Sequence, residues 1–155
     1  MNMADALREH VDKLLLMEGA HLSFREAVAD FPAALRGKKL EGAPHTAWQL
    51  LEHMRLAQED ILDFSRNPEY RERRFPDDYW PATAEPPDAK AWDRSVAQFE
   101  KDLQDMRNLV VGGGDLFAKI PHGDGQTLLR EALVVADHNS YHLGQLVFLR
   151  KALAA

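Results

Sequence analysis

The stretch TLLREALVVADHNSYHLGQLVFLRKALAA, residues 127–155, decides the fold. In it Leu128, Leu129, Leu133, Val134, Val135, Leu143, Leu146, Val147 and Leu149 recur at the three- and four-residue steps of an α-helix, and no proline interrupts them. Thr127 carries the side-chain oxygen that starts a helix by accepting from an unpaired backbone amide. The pattern predicts one long helix from Thr127 to the end of the chain.

Working outward, the same period returns three times. Gly112-Gly113-Gly114 ends a run through Trp92, Val96, Phe99, Leu103 and Met106, which Pro87 or Asp88 can start and which reaches about Val110. Trp48, Leu50, Leu51, Met54, Ile61 and Leu62 form another, opened by Thr46-Ala47-Trp48-Gln49. That spacing is a capping box, in which the hydroxyl and the amide side chain each satisfy a backbone N–H of the first turn. From Asp5 onward, Leu7, Val11, Leu14, Leu15 and Leu22 make a first amphipathic helix, weakened near its end by Gly19. Ser23-Phe24-Arg25-Glu26 is a second capping box and predicts a short helix to about Phe31, closed by Pro32. Neither strand alternation nor an internal repeat is visible. The expected fold is all-α, an antiparallel four-helix bundle with a short extra helix and a proline-rich insert loop.

Residues 37–44 read as loop. The insert, Asn67 to Pro87, holds five prolines, too many for regular structure, while Phe75, Tyr79 and Trp80 are too apolar to be left in water. An ordered loop packed over one bundle end satisfies both. With 155 residues, 45% hydrophobic and 28% charged, the chain is expected to form one globular domain over residues 1–155.

A net charge of −6 argues against nucleic acid as a partner, and the short basic cluster Arg71-Glu72-Arg73-Arg74 reads as a solvated loop. No apolar run reaches the roughly 18 residues of a membrane span, and MNMADALREH lacks the regions of a secretory signal. A cytoplasmic location without a membrane partner is expected. The chain has no cysteine, so a bound metal must rest on imidazole, carboxylate and water.

His138 and His142 lie four residues apart on one helix face, close enough for two ring nitrogens to reach one ion. The face points inward, where an unpaired polar group costs about 1 to 3 kcal/mol. Taken alone, HxxxH is a weak signal and is better served by hydrogen bonds to carbonyls or carboxylates. His53, set among Leu50, Leu51, Met54 and Leu56, has the same need for a buried partner. One divalent transition metal, zinc or nickel, satisfies all three histidines and leaves coordination positions for water or substrate.

Around them, Asp60 lies two turns after His53 and Glu131 on the face of His138, where either can orient an imidazole or form a salt bridge. Gln49 and Gln145 face the right way to hold a substrate or water, or to bond between helices. Tyr79, Trp80 and Trp92 wall a pocket or fill the core, and Gly144 reads as a point of close helix approach. His45 falls outside the inward arc of His53, and His10, His21 and His122 read as surface residues.

PHTAWQLLEHMRLAQEDIL (residues 44–62) and ADHNSYHLGQLVFLRKAL (residues 136–153) resemble the DinB-like superfamily, also called DinB/YfiT. The pairing of EHxxxAQxDI with DHxxxHxGQ carries the resemblance, and the similarity continues through the LRG loop and the aromatic, proline-rich insert. It implies a four-helix bundle with a metal-binding histidine triad, which falls on His53, His138 and His142. For activity it implies a metal-dependent enzyme that activates a low-molecular-weight thiol or water for transfer or hydrolysis, because relatives include thiol transferases and a thiol-dependent isomerase. A small-molecule thiol or electrophile is then the partner. The alternatives are a non-catalytic metal- or ligand-binding stress-response module, marked by a fourth protein ligand, and an interaction domain that holds no metal. A homodimer is compatible with each, since long helices often expose an apolar stripe.

Overall fold

Side-chain caps mark where the chain turns into helix in the computed structural model, which describes residues 2–155. Asn2 accepts from the Asp5 amide at 2.9 Å and opens α1 (Met3–Leu15). Both capping boxes are closed: Ser23 with Glu26 opens α2 (Phe24–Val28), and Thr46 with Gln49 opens α4 (Ala47–Arg66). Thr127 accepts from the Arg130 amide at 3.2 Å and opens α6 (Leu128–Ala154), the longest helix, as its period predicts. Between these lie α3 (Ala33–Arg36), a single turn, and α5 (Ala91–Val111), neither with a side-chain cap.

Several boundaries depart from expectation. Helix α1 stops at Leu15, before the left-handed residues Met17 and Gly19, and leaves Leu22 outside it and exposed, while α2 stops at Val28 instead of near Phe31. The Asp88 carboxylate accepts from the Lys90 amide at 2.9 Å, which holds residues 88–90 in a turn and delays α5 to Ala91. Helix α3 begins directly after Pro32, whose fixed φ suits a helix start, yet four residues are too few to show a period. Among the described residues there is no strand, only an isolated bridge between Lys119 and Thr127, so the chain is all-α. No helix among them is long and apolar enough to cross a membrane.

Helix α4 packs along α5 and α6, and α1 packs along the same two. Their shared core holds Leu15 of α1, Leu51 and Met54 of α4, Phe99 and Met106 of α5, and Leu143 and Leu146 of α6, all fully buried. Each such side chain contributes about 1.5–3 kcal/mol relative to exposure. Trp92 belongs to this core and not to a pocket wall: it is 2% exposed, its ring lies 4.9 Å from that of Phe31, and Arg36 sits over it.

A buried amide seam fixes the helices along their axes. Gln58 donates to the Phe99 carbonyl at 2.8 Å, and its own carbonyl oxygen accepts from Asn139 at 2.8 Å. One side chain of α4 is thereby tied to α5 and to α6, at the residue next to His138. At the far end of α5, whose last turn has no basic residue, Arg8 donates to the Val110 carbonyl that the helix leaves unpaired and to the carbonyl of Gly114 in the turn beyond it.

The insert folds back onto α4. Tyr70 and Tyr79 hydroxyls donate to the Asp60 carboxylate at 3.0 and 2.7 Å, and Arg73 pairs with Glu59 at 3.3 Å while donating to the Leu56 carbonyl. The basic cluster is therefore only partly solvated, with Arg71 and Arg74 exposed and Arg73 pinned. Phe75 corrects the expectation in the other direction: it is 80% exposed, because the chain on either side of it is anchored by Arg73 and Tyr79 instead. A short 3₁₀ turn, Asp77–Tyr79, then carries Trp80 over the histidines.

Candidate metal centre

The phase of α4 is set by its capping box at Thr46, and seven residues later His53 falls among the buried positions of the helix. The phase of α6 is set by Thr127, and His138 and His142 come round on the side that packs against α4. The three rings meet. Their centroids lie 4.9 Å apart for His53 and His138, 4.6 Å for His53 and His142, and 4.5 Å for His138 and His142.

Hydrogen bonds decide which nitrogen two of the rings present. The Nδ1–H of His53 donates to the Tyr79 carbonyl at 2.8 Å, and the Nδ1–H of His142 donates to Gln145 Oε1 at 2.7 Å. Both acceptors are oxygens that carry no proton to give. In the neutral rings the lone pair is therefore on Nε2. The Nε2 atoms of His53 and His138 stand 3.0 Å apart, and one ligating atom from each of the three residues lies within 4.8 Å of the others.

Burial lowers the proton affinity of all three rings. His138 is pushed down to about 4, first by burial and then by His142 and His53 beside it. His53 is lowered by burial, against the raising effect of its bond to Tyr79, and His142 by burial against its bond to Gln145. Neutral imidazole is the form that ligates a metal. The donor set fits a divalent transition ion: two nitrogens at about 2.0–2.1 Å from a tetrahedral zinc stand roughly 3.3 Å apart, close to the 3.0 Å between the His53 and His138 nitrogens, with the third ligating atom within 4.8 Å of both.

The profile of the DinB superfamily matches residues 17–146, which takes in all three histidines and five of the six helices from start or near start. The chain belongs to the DinB superfamily. Neither the curated proteins nor the solved structures return a match to it. This DinB-superfamily chain thus brings together in space the three histidines that the sequence singles out.

The neighbouring residues divide. Gln145 reaches the centre, as the acceptor for His142. Asp60 is buried but touches no imidazole; it binds the Tyr79 hydroxyl, and the carbonyl of that same tyrosine holds His53. Its influence on His53 runs through Tyr79. Glu131 is buried and pairs with Arg130 at 2.6 Å, so it orients no histidine. Gln49 commits its Oε1 to the capping box, accepting from the Thr46 amide at 3.0 Å.

Sequence reasoning placed Trp80 only as a wall or a core residue. In the DinB-superfamily chain its ring lies parallel to that of His53, 3.9 Å away and within 1°, and also stacks on His45 at 3.9 Å. His45 is therefore at the rim of the centre through Trp80, outside the group of three. The Tyr79 carbonyl was missed entirely, since no side-chain identity advertises a backbone acceptor. Gln58 and Asn139 were missed as well, although each stands inside a motif that carries the family resemblance.

Proposed function

We propose that this chain is a metal-dependent enzyme, with His53, His138 and His142 as ligands to one zinc or nickel ion and a low-molecular-weight thiol or water as the activated nucleophile. The observation that carries the reading is the double tautomer lock, Nδ1 of His53 on the Tyr79 carbonyl and Nδ1 of His142 on Gln145, which leaves two Nε2 lone pairs beside His138. A hydrogen-bonded histidine cluster needs only one such lock, whereas an ion needs every ring to be an acceptor at the same place.

A divalent ion at this place supplies Lewis acidity that lowers the pKa of a bound thiol or water, giving thiolate or hydroxide near neutral pH. The chain's own residues prepare the surroundings. Burial keeps the three imidazoles unprotonated, so no proton has to be displaced at neutral pH for them to act as ligands. Trp80 covers one face of His53 and keeps water off that side. The group contains three residues and no carboxylate, which favours an open coordination position over the closed sphere of a structural site. Without cysteine in the chain, a thiol has to arrive from solution.

The test is a screen of common cellular thiols against electrophilic acceptors, following thiol consumption by metal-loaded wild type and by His142→Ala. Turnover by wild type that the variant lacks is expected. Equal background rates for the two proteins across the panel would sink the enzymatic reading and leave a metal-binding module.

A further inference from the structure

We propose that the groove between the loop preceding α4 and the outer side of α6 binds a neutral, apolar small molecule, and that this molecule is the electrophile presented to the histidine centre. The second clause rests on the function proposed above; the binding itself does not.

The groove encloses ≈ 660 Å³, within the range of about 300–1,000 Å³ typical of small-molecule sites. Leu40 and Pro44 line it from the loop, Leu50 from α4, and Phe148 and Leu149 from α6. Glu41 is the one charged residue among its lining. An anionic ligand would meet a carboxylate and no fixed cation there, while an aromatic or aliphatic body meets complementary surface.

None of the three histidines lines the groove, but side chains in contact with the centre do. His45 lines it and stacks on the Trp80 that covers His53. Gln145 lines the groove and, on the same amide, accepts the Nδ1 proton of His142. With its oxygen so committed, Gln145 has amide hydrogens to offer a polar group on a ligand. Tyr141 also lines the groove, and its ring lies 4.9 Å from that of His142.

Gly144 supplies an independent observation. It sits inside the 27-residue helix α6, where glycine is the least favourable residue after proline. Its φ is not in the left-handed region, so the backbone does not require it. A Cβ built on it meets nothing within 4 Å, which overturns the reading of Gly144 as a point of close helix approach. What it does is leave the α6 side of the groove open. A weak helix residue that packs against no protein atom is explained by something that occupies the space it keeps free.

The test uses the full chain and the neutral fluorophore phenylnaphthylamine as probe, with bound metal, melting temperature and sedimentation measured alongside. Saturable binding to wild type is expected. Gly144→Leu, which fills the groove, should weaken it by at least about tenfold while melting no lower and retaining its metal. Phe148→Ser, at an exposed position, should weaken the probe as well and guards against a folding defect in the first variant. His142→Ala should lose metal yet keep the probe, so a failure of the metal reading leaves this one standing. Probe binding that is absent in wild type, or unchanged in both groove variants, would overturn the proposal. So would a wild-type dimer that Gly144→Leu dissociates, because a second copy would then be the occupant.

Discussion

His53 and His142 solve one problem in the same way from different elements. Each gives its Nδ1 proton to an oxygen, a backbone carbonyl in one case and a side-chain amide in the other, and each thereby turns Nε2 into an acceptor. Replacing Gln145 with leucine removes that oxygen, frees the His142 ring to change tautomer and rotate, and should weaken metal binding by about 10- to 100-fold in competition with a chelating dye. Unchanged affinity would show that the bond is incidental. The depressed proton affinities carry a second expectation for metal-free protein. The unfolded chain takes up a proton at His138 near its ordinary pKa of 6.5, the folded chain only near about 4, so between these values the unfolded state binds more protons. Stability should therefore fall as pH falls from about 6.5 toward about 4, read as a declining denaturant midpoint, and His138→Phe should flatten the slope. A midpoint that rises on acidification would contradict the burial of neutral imidazoles.

Among the elements, those whose start is written in side chains were legible. Thr46-x-x-Gln49 and Ser23-x-x-Glu26 name the amides they satisfy, and the apolar period then places His53, His138 and His142 on inward faces. What escaped reading depends on partners distant in the chain. The Asn67-to-Pro87 insert has no period, and the anchoring of Tyr70, Tyr79 and Arg73 on α4 became visible only in three dimensions, as did the exposure of Phe75. The Gln58 seam is of the same kind: an amide five residues past His53 says nothing of whether it faces solvent or, as here, the Phe99 carbonyl and Asn139. Gln58→Ala abandons two buried groups at about 1–3 kcal/mol each, and equilibrium denaturation should show a loss in that range or somewhat above it. Phe75→Ser should stay within about 0.5 kcal/mol of wild type by the same measurement, despite removing a large apolar side chain. Reversed magnitudes would mean that the insert, and not the seam, holds the helices together.

At the scale of the molecule, an ion held by the three histidines of α4 and α6 would cross-link two helices far apart in sequence. An ion that binds only the folded chain stabilises it by about 2.7 kcal/mol at a free concentration 100 times its dissociation constant. For a chain of this size that corresponds to a melting temperature roughly 5–10 °C higher with metal than after chelation. The measurement that tests the account most directly is metal content by elemental mass spectrometry on protein purified without an affinity tag, for wild type, His53→Ala and His138→Ala. Close to one zinc or nickel per chain in wild type, lost in both variants, is the result the account predicts. Wild type without metal even after incubation with either ion, or variants that keep it in full, would contradict the three-histidine centre.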